Sequence, residues 1–344
     1  MTVCLLISEY GVADKMLLVF FSIVTLAFDA ICILQLMDYN PFYLFPKGFS
    51  YSGANVDYSG VFIGTIGNVD FVGAFFSIAI PLYVLSILKL KIKNRFYLFI
   101  PLLLTVYVLF QIKVYAGIVG LAGIIISLPF MFDVSKKIRL WMVCVLIAVF
   151  VMAVAVLYVT EPKELFLYQI HEILRGNING EFGTYRIMIW EKVLNLVPNA
   201  PVLGHGPDTM IFGDFGEYGE VDPSSGVYYS YIDTAHNEFL NVLYHQGILG
   251  LGMYIGAVAH TIADFIKNGG KNANVAILGT TVISYLIQSF FGISMCITAI
   301  YFWIVWGLFI HEIGKQKNVI YISRIISFIH RGNYLMHLKC KGSK

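Results

Sequence analysis

His236 stands where a polar stretch runs into an apolar one, in Thr234-Ala235-His236-Asn237-Glu238-Phe239-Leu240. An imidazole with an ordinary pKa near 6.5 takes up a proton close to neutral pH. Placed at the mouth of a membrane span, it would reach a head group while the lipid tail stays in the bilayer. Asn237 and Asn241 add hydrogen-bonding groups on the same helix. The plainer alternative is a histidine that only caps the helix or snorkels. Arg186 comes next, set among Tyr185, Ile187, Ile189 and Trp190. A guanidinium avoids such surroundings unless something holds it, and its planar fork suits phosphate or pyrophosphate oxygens. Pairing with Glu181 or Glu191, or interfacial snorkelling, is the competing explanation. Lys113, in a tight turn near Gln111 and Tyr115, faces the same side, as a phosphate partner or as a plain interfacial cation.

Other chemistries find little support. His171-Glu172 and His311-Glu312 each begin like a zinc HExxH site, but Arg175 and Lys315 stand where the second histidine is required. The sequence contains no CxxC, P-loop or GxSxG motif and no basic-aromatic groove for nucleic acid. No metal and no cofactor is therefore expected.

These residues must be positioned by membrane helices. The 344 residues are 58% hydrophobic and only 13% charged, about half the charged share of roughly 25% in soluble domains. A span takes about 20 mostly apolar residues, and eight candidates occur: 16–36, 71–88, 96–112, 114–132, 140–159, 238–264, 273–291 and 293–310. The expected fold is an all-α, polytopic helical bundle with one large external loop domain. Basic residues orient it. Sixteen of the 23 Lys and Arg fall in the turns 89–95, 133–139 and 267–271 and in the tail 311–344. Eight alternating spans then put both termini in the cytoplasm. No cleavable signal peptide is evident, since Glu9 and Asp14 interrupt the first residues.

The chain divides into a five-span bundle over 1–159 with an outer loop at 37–70, an external domain over 160–237, a three-span bundle over 238–310 and a basic tail over 311–344. Within the external domain, 163–175 and 184–197 read as amphipathic helices followed by a Pro/Gly-rich stretch. The tail segment 319–338 alternates apolar and basic faces, suited to an anionic inner surface. Asp29, inside the first span, is costly in lipid and should face the bundle. Gly252 and Gly256 have the spacing of close helix packing. The five cysteines read as small core hydrophobes.

Four blocks in order resemble the O-antigen ligase and polymerase superfamily: Thr184-Tyr185-Arg186-x-x-x-Trp190, Pro201-Val202-Leu203-Gly204-His205-Gly206, Ala235-His236-Asn237-x-x-Leu240 and Gly247-Ile248-Leu249-Gly250-Leu251. The earlier Gly64-Thr65-Ile66-Gly67-Asn68 is similar to a further motif of that family. The resemblance covers about residues 60–310. It implies a metal-independent, GT-C-like membrane glycosyltransferase of the bacterial cytoplasmic (inner) membrane, with its active face on the periplasmic side. Such an enzyme moves a glycan from an undecaprenyl-pyrophosphate carrier to an acceptor hydroxyl on a glycan, lipid or protein. Carried over, His236 is the base or acceptor-orienting group, Arg186 a pyrophosphate ligand, and Lys113, Asn237 and Asn68 further substrate-binding candidates. The sequence departs from the family at several points: Lys113 stands near the place of a second arginine, Val69-Asp70 replaces Pro-Asn, and Gln246 replaces a common Glu. Two other readings remain: a transporter or flippase of lipid-linked oligosaccharide, and an inactive scaffold within a polysaccharide assembly complex.

Overall fold

The computed structural model describes residues 2–45, 62–91, 95–215 and 232–316, together with the backbone of 220–221 and 228–229. The helices are α1 (Thr2–Tyr10), α2 (Lys15–Leu36), α3 (Val69–Lys89), α4 (Phe99–Ile112), α5 (Tyr115–Gly120), α6 (Ala122–Met131), α7 (Lys136–Val159), α8 (Leu165–Leu174), α9 (Arg186–Leu196), α10 (Glu238–Asn268) and α11 (Ala273–Ser289). The last is α12 (Cys296–Gln316). Two-residue ladders pair β1 (Phe62–Ile63) with β2 (Gly67–Asn68) and β3 (Glu220–Val221) with β4 (Tyr228–Tyr229), both antiparallel.

The protein is an all-α polytopic membrane bundle. Helices occupy all eight expected segments. Six are long and apolar enough to cross a bilayer among the described residues; Tyr115–Met131 and Ala273–Ser289 are shorter. The amphipathic segments expected at 163–175 and 184–197 are α8 and α9. The amphipathic tail 319–338 and residues 46–61 of the outer loop 37–70 lie outside the described residues.

The bundle is built round α3, whose apolar sequence is largely buried against α4, α5 and α11 and, through the Phe28–Phe75 ring contact and the Tyr83–Thr25 hydrogen bond, against α2. Phe75, Phe76, Ile78 and Tyr83 are among its fully enclosed side chains. A second axis runs through α11 and α12, where Tyr285 stacks on Phe302 at 4.2 Å. Polar groups inside the bundle bridge helices, as the low-dielectric surroundings require. Thr105 Oγ1 donates to Asp29 Oδ2 at 2.8 Å, joining α4 to α2, and Trp306 Nε1 donates to Thr261 Oγ1 at 2.8 Å, joining α12 to α10. Asp29 thus faces inward, fully buried. By contrast α7 buries no residue and presents Val, Phe and Met side chains outward over its whole length, as a lipid-facing helix does.

The packing expected at Gly252 and Gly256 is not found. A Cβ on either would meet nothing within 4 Å, and Met253 between them is exposed. That face of α10 looks away from the bundle because α6, α9 and α11 all contact its other sides. Cys4 and Cys32 are buried, whereas Cys144 and Cys296 are exposed on outward helix faces; Cys340 lies outside the described residues.

Candidate functional site

Three chain reversals meet on the face opposite the basic turns. The first precedes α9. Gly183, Thr184 and Tyr185 take positive φ in succession (65°, 59° and 62°), and such left-handed backbone is costly for the two non-glycine residues. The reversal turns the carbonyl of Gly183 toward Arg186, whose Nη1 donates to it at 2.8 Å. Gln169 Oε1 in α8 accepts from Gly183 N at 3.1 Å and anchors the reversal to the neighbouring helix. The guanidinium is thereby held in a fixed direction. Its Nη2 donates to Asp70 Oδ2 at 3.2 Å, and its Nε is buried without a partner. Neither Glu181 nor Glu191 is its ion-pair partner; the carboxylate comes from α3, 116 residues away.

The second reversal is the corner 234–237. His236 has φ +48°. Around it, the side chain of Asn241 folds the corner onto α10: Oδ1 accepts from Ala235 N at 2.8 Å and Nδ2 donates to Thr234 Oγ1 at 3.0 Å. Asn237 Oδ1 accepts from Leu240 N at 3.1 Å, capping the helix. Trp190, one turn beyond Arg186, donates its Nε1 to Ala235 O at 2.9 Å. A single residue of α9 therefore holds the backbone next to His236. The indole is itself fixed against Phe290 and Phe291 after α11.

The third reversal carries Lys113, in left-handed conformation at the end of α4 (φ +52°). Lys113 is exposed. The chain just after it packs on α3 through small residues: a Cβ on Gly73 would lie 2.7 Å from Val114 Cγ1, and one on Gly117 3.0 Å from Gly73 Cα. This contact lies one turn along α3 from Asp70. Tyr115 OH donates to Glu164 Oε1 at 2.5 Å and stacks on Phe166 at 4.5 Å, tying the turn to the start of α8. That hydrogen bond, with one from Leu167 N, holds the Glu164 carboxyl below the usual range. Asn68 closes the β1–β2 hairpin and caps α3, its Oδ1 accepting from Asp70 N at 2.8 Å. Gly64 in that hairpin has φ +66° and leaves no space for a Cβ, which would lie 2.4 Å from the Phe28 ring.

Electrostatics connect the reversals. Burial pushes the His236 imidazole below its ordinary pKa, and the nearby Arg186 charge pushes it the same way. Asp70 and Asp233 act in the opposite sense. The neutral imidazole is thus favoured, and it is the form that accepts a proton. Seven buried side-chain nitrogen or oxygen atoms lack a hydrogen-bond partner among the described residues. Five belong to residues within α2, α6 and α11; the other two are Arg186 Nε and His236 Nδ1. Buried polar atoms normally find partners, so two orphans in adjoining reversals point to a polar ligand.

The remaining sequence block acts as a joint. At Gly247 (φ +65°, ψ −168°) α10 is broken, which would leave backbone groups unpaired in or near the membrane. The 201–206 loop satisfies them. Ile248 N donates to Pro201 O at 2.9 Å and Leu249 N to Val202 O at 3.3 Å; His205 N and Gly206 N donate to Tyr244 O and His245 O at 2.9 and 3.0 Å. His245 Nδ1 lies 2.7 Å from Gly206 O, which accepts its proton, and the His205 ring stacks on Tyr244 at 4.2 Å.

Among the candidates named from the sequence, the structure brings Arg186 and His236 into electrostatic reach and sets the Lys113 turn beside α3. The side-chain oxygens of Asn68 and Asn237 cap helices. Sequence reasoning treated Asp70 only as a departure from a pattern, and it missed Trp190 as the support of the His236 corner. A carboxylate in the first turn after Asn68, facing a lone arginine in an apolar helix, was the available signal for Asp70.

Residues 100–255 match the family model described as O-antigen ligase. The chain is also 24% identical over 278 residues to an uncharacterised protein of Haemophilus influenzae, a match covering 77% of this chain and 63% of that relative. The matched family segment contains Lys113, Arg186, the 201–206 loop, His236 and Gly247, all the reversals described above except the Asn68 hairpin. Over residues 100–255 this membrane protein is similar to the O-antigen ligase family.

Proposed function

We propose that the protein is a membrane glycosyltransferase of surface-polysaccharide assembly. It would transfer a glycan from an undecaprenyl-pyrophosphate carrier to an acceptor hydroxyl on the non-cytoplasmic side. The observation that carries this reading is the pairing of a neutral-favoured imidazole with an aimed guanidinium, each with an unpartnered buried nitrogen. In the reaction the acceptor oxygen bonds to the anomeric carbon as the bond from that carbon to the pyrophosphate oxygen breaks. The hydroxyl proton goes to His236, and the pyrophosphate leaves with the lipid, its charge met by Arg186 and by Lys113 at the edge of the site. A pyrophosphate needs charge stabilisation rather than protonation to leave, so one base and cations suffice where most glycosidases use two carboxyl groups.

The orientation and division of the chain belong to the same reading. The basic turns face the cytoplasm by charge bias, which puts the 160–237 segment and the three reversals outside. The five-span and three-span bundles then flank that segment, and both termini are cytoplasmic.

A broken membrane helix such as α10 is also a feature of transporters. In transporters the break lines a cavity and leaves backbone groups for the substrate, whereas here the 201–206 loop satisfies the groups freed at Gly247. This favours a fixed joint in a transferase. The test is purified protein in proteoliposomes with an undecaprenyl-pyrophosphate oligosaccharide. Chain extension identifies a polymerase, transfer to an added acceptor a ligase. Passage of the lipid across the bilayer with no new glycosidic bond would refute the proposal.

A further inference from the structure

The Arg186 guanidinium already has an anion on it, and the anion is part of this chain. Asp70 and Arg186 form an ion pair whose side chains are only 22% and 16% exposed. Each partner is held independently of the other. Arg186 Nη1 is fixed on Gly183 O, and Asp70 is fixed by the Asn68 cap on its own N–H. Asp70 also lies in the first turn of a 21-residue helix, where backbone N–H groups and the helix dipole favour negative charge. Two separate features, a guanidinium and a helix amino end, thus converge on one place. The carboxylate does not saturate it: Nη2 is engaged by one oxygen while Nε is left without a partner, so the fork geometry that a bidentate oxyanion would use is incomplete.

We propose that Asp70 is the resident occupant of an anion subsite formed by Arg186 and the amino end of α3, and that it selects ligands carrying at least two negative charges. This deepens the proposed function, on which its assignment to a pyrophosphate rests. A singly charged anion arriving beside Asp70 meets a cation already neutralised and gains nothing by exchange. A pyrophosphate brings further charge and enough oxygens to engage both Nη2 and Nε, so it displaces the carboxylate. Asp70 therefore excludes monoanions and weakens, without preventing, the binding of the doubly charged group. An incoming pyrophosphate would also replace Asp70 as the negative charge that favours the protonated form of His236, keeping the imidazole able to take the acceptor proton.

The experiment is calorimetric titration of the detergent-purified full chain with inorganic pyrophosphate and with acetate. It compares the wild type, Asp70→Asn, Asp70→Ala and Arg186→Ala, each first checked for a monodisperse elution profile. The wild type should bind pyrophosphate and ignore acetate. Both Asp70 variants should bind pyrophosphate on the order of tenfold more tightly, the size expected on releasing one charge-assisted hydrogen bond, and should acquire acetate binding. Arg186→Ala should bind neither. Unchanged or weakened pyrophosphate affinity in both folded Asp70 variants would overturn the inference and make Asp70 a residue that positions Arg186. In that event the proposed function still stands so long as the wild type binds through Arg186. Pyrophosphate binding by Arg186→Ala as tight as the wild type, or by no variant at all, removes the reading of Arg186 as well.

Discussion

Gly204 and Gly247 cross at a distance that admits no side chain on either. A Cβ on Gly247 would lie 2.6 Å from Gly204 N and 2.3 Å from Val202 O, and one on Gly204 would lie 2.4 Å from Gln246 N. The contact explains why two glycine-bearing blocks, 43 positions apart in the sequence, accompany the histidine corner: one breaks α10, and the other mends the break. Gly247 also has a φ/ψ pair that essentially only glycine adopts. Gly247→Ala should therefore cost at least about 1–3 kcal/mol from backbone strain alone and separate the 201–206 loop from the helix. The expected result is a lower unfolding temperature in detergent and loss of transfer. An unchanged melting curve would show that the joint yields easily.

The pH dependence of transfer should carry the signature of His236. Its pKa is lowered by burial and by Arg186, so the neutral, proton-accepting form persists below the ordinary value of 6.5. The acid limb of kcat/KM should accordingly fall at a pH under 6.5. Asp70 is one of two carboxylates acting in the raising direction. Asp70→Asn removes that influence and should move the limb further toward acid. A limb above 6.5, or an upward move in the variant, would contradict the assignment of the base.

Trp190→Phe keeps an aromatic ring beside Phe290 and Phe291 but deletes the hydrogen bond to Ala235 O. The loss should be about 1 kcal/mol in stability. The larger effect should be on rate, because a misplaced catalytic group can cost on the order of 100-fold without touching substrate itself. Kinetics of the variant decide the point: kcat should fall well beyond what the melting temperature suggests. A wild-type kcat would show that the His236 corner holds its shape without the indole.

Asn237 separates capping from substrate contact. Its side chain is buried and accepts from Leu240 N. Asn237→Ser retains a capping oxygen, whereas Asn237→Ala loses about 1 kcal/mol. The serine variant should stay close to the wild type in both melting temperature and activity, and the alanine variant should be the less stable of the two. A serine variant of normal stability that has lost transfer would show that Asn237 contacts substrate as well.

Much of this architecture was legible in the sequence because membranes impose few choices. Apolar runs of span length and clustered Lys and Arg gave helices at all eight expected places. Asp29 could be turned inward because a carboxyl in lipid has no tolerable alternative. What escaped were relationships between distant segments. Glu181 and Glu191 lie close to Arg186 along the chain, yet the left-handed run at 183–185 turns the guanidinium away from both and toward Asp70. Likewise, Gly252 and Gly256 have the spacing of a packing motif, but spacing does not say which face of α10 meets a neighbour. Asn68 and Asn237 look like ligand contacts by position, and the structure adds that their oxygens cap helices, a local requirement that every helix start has to meet.

The proposed transfer depends on His236 and Arg186 acting together. The measurement is turnover of an undecaprenyl-pyrophosphate oligosaccharide by wild type, His236→Ala and Arg186→Ala in the same proteoliposomes, with insertion verified for each. The predicted result is transfer by the wild type alone, with both variants inserted and inactive. Wild-type turnover by inserted His236→Ala protein would show that His236 is not the base.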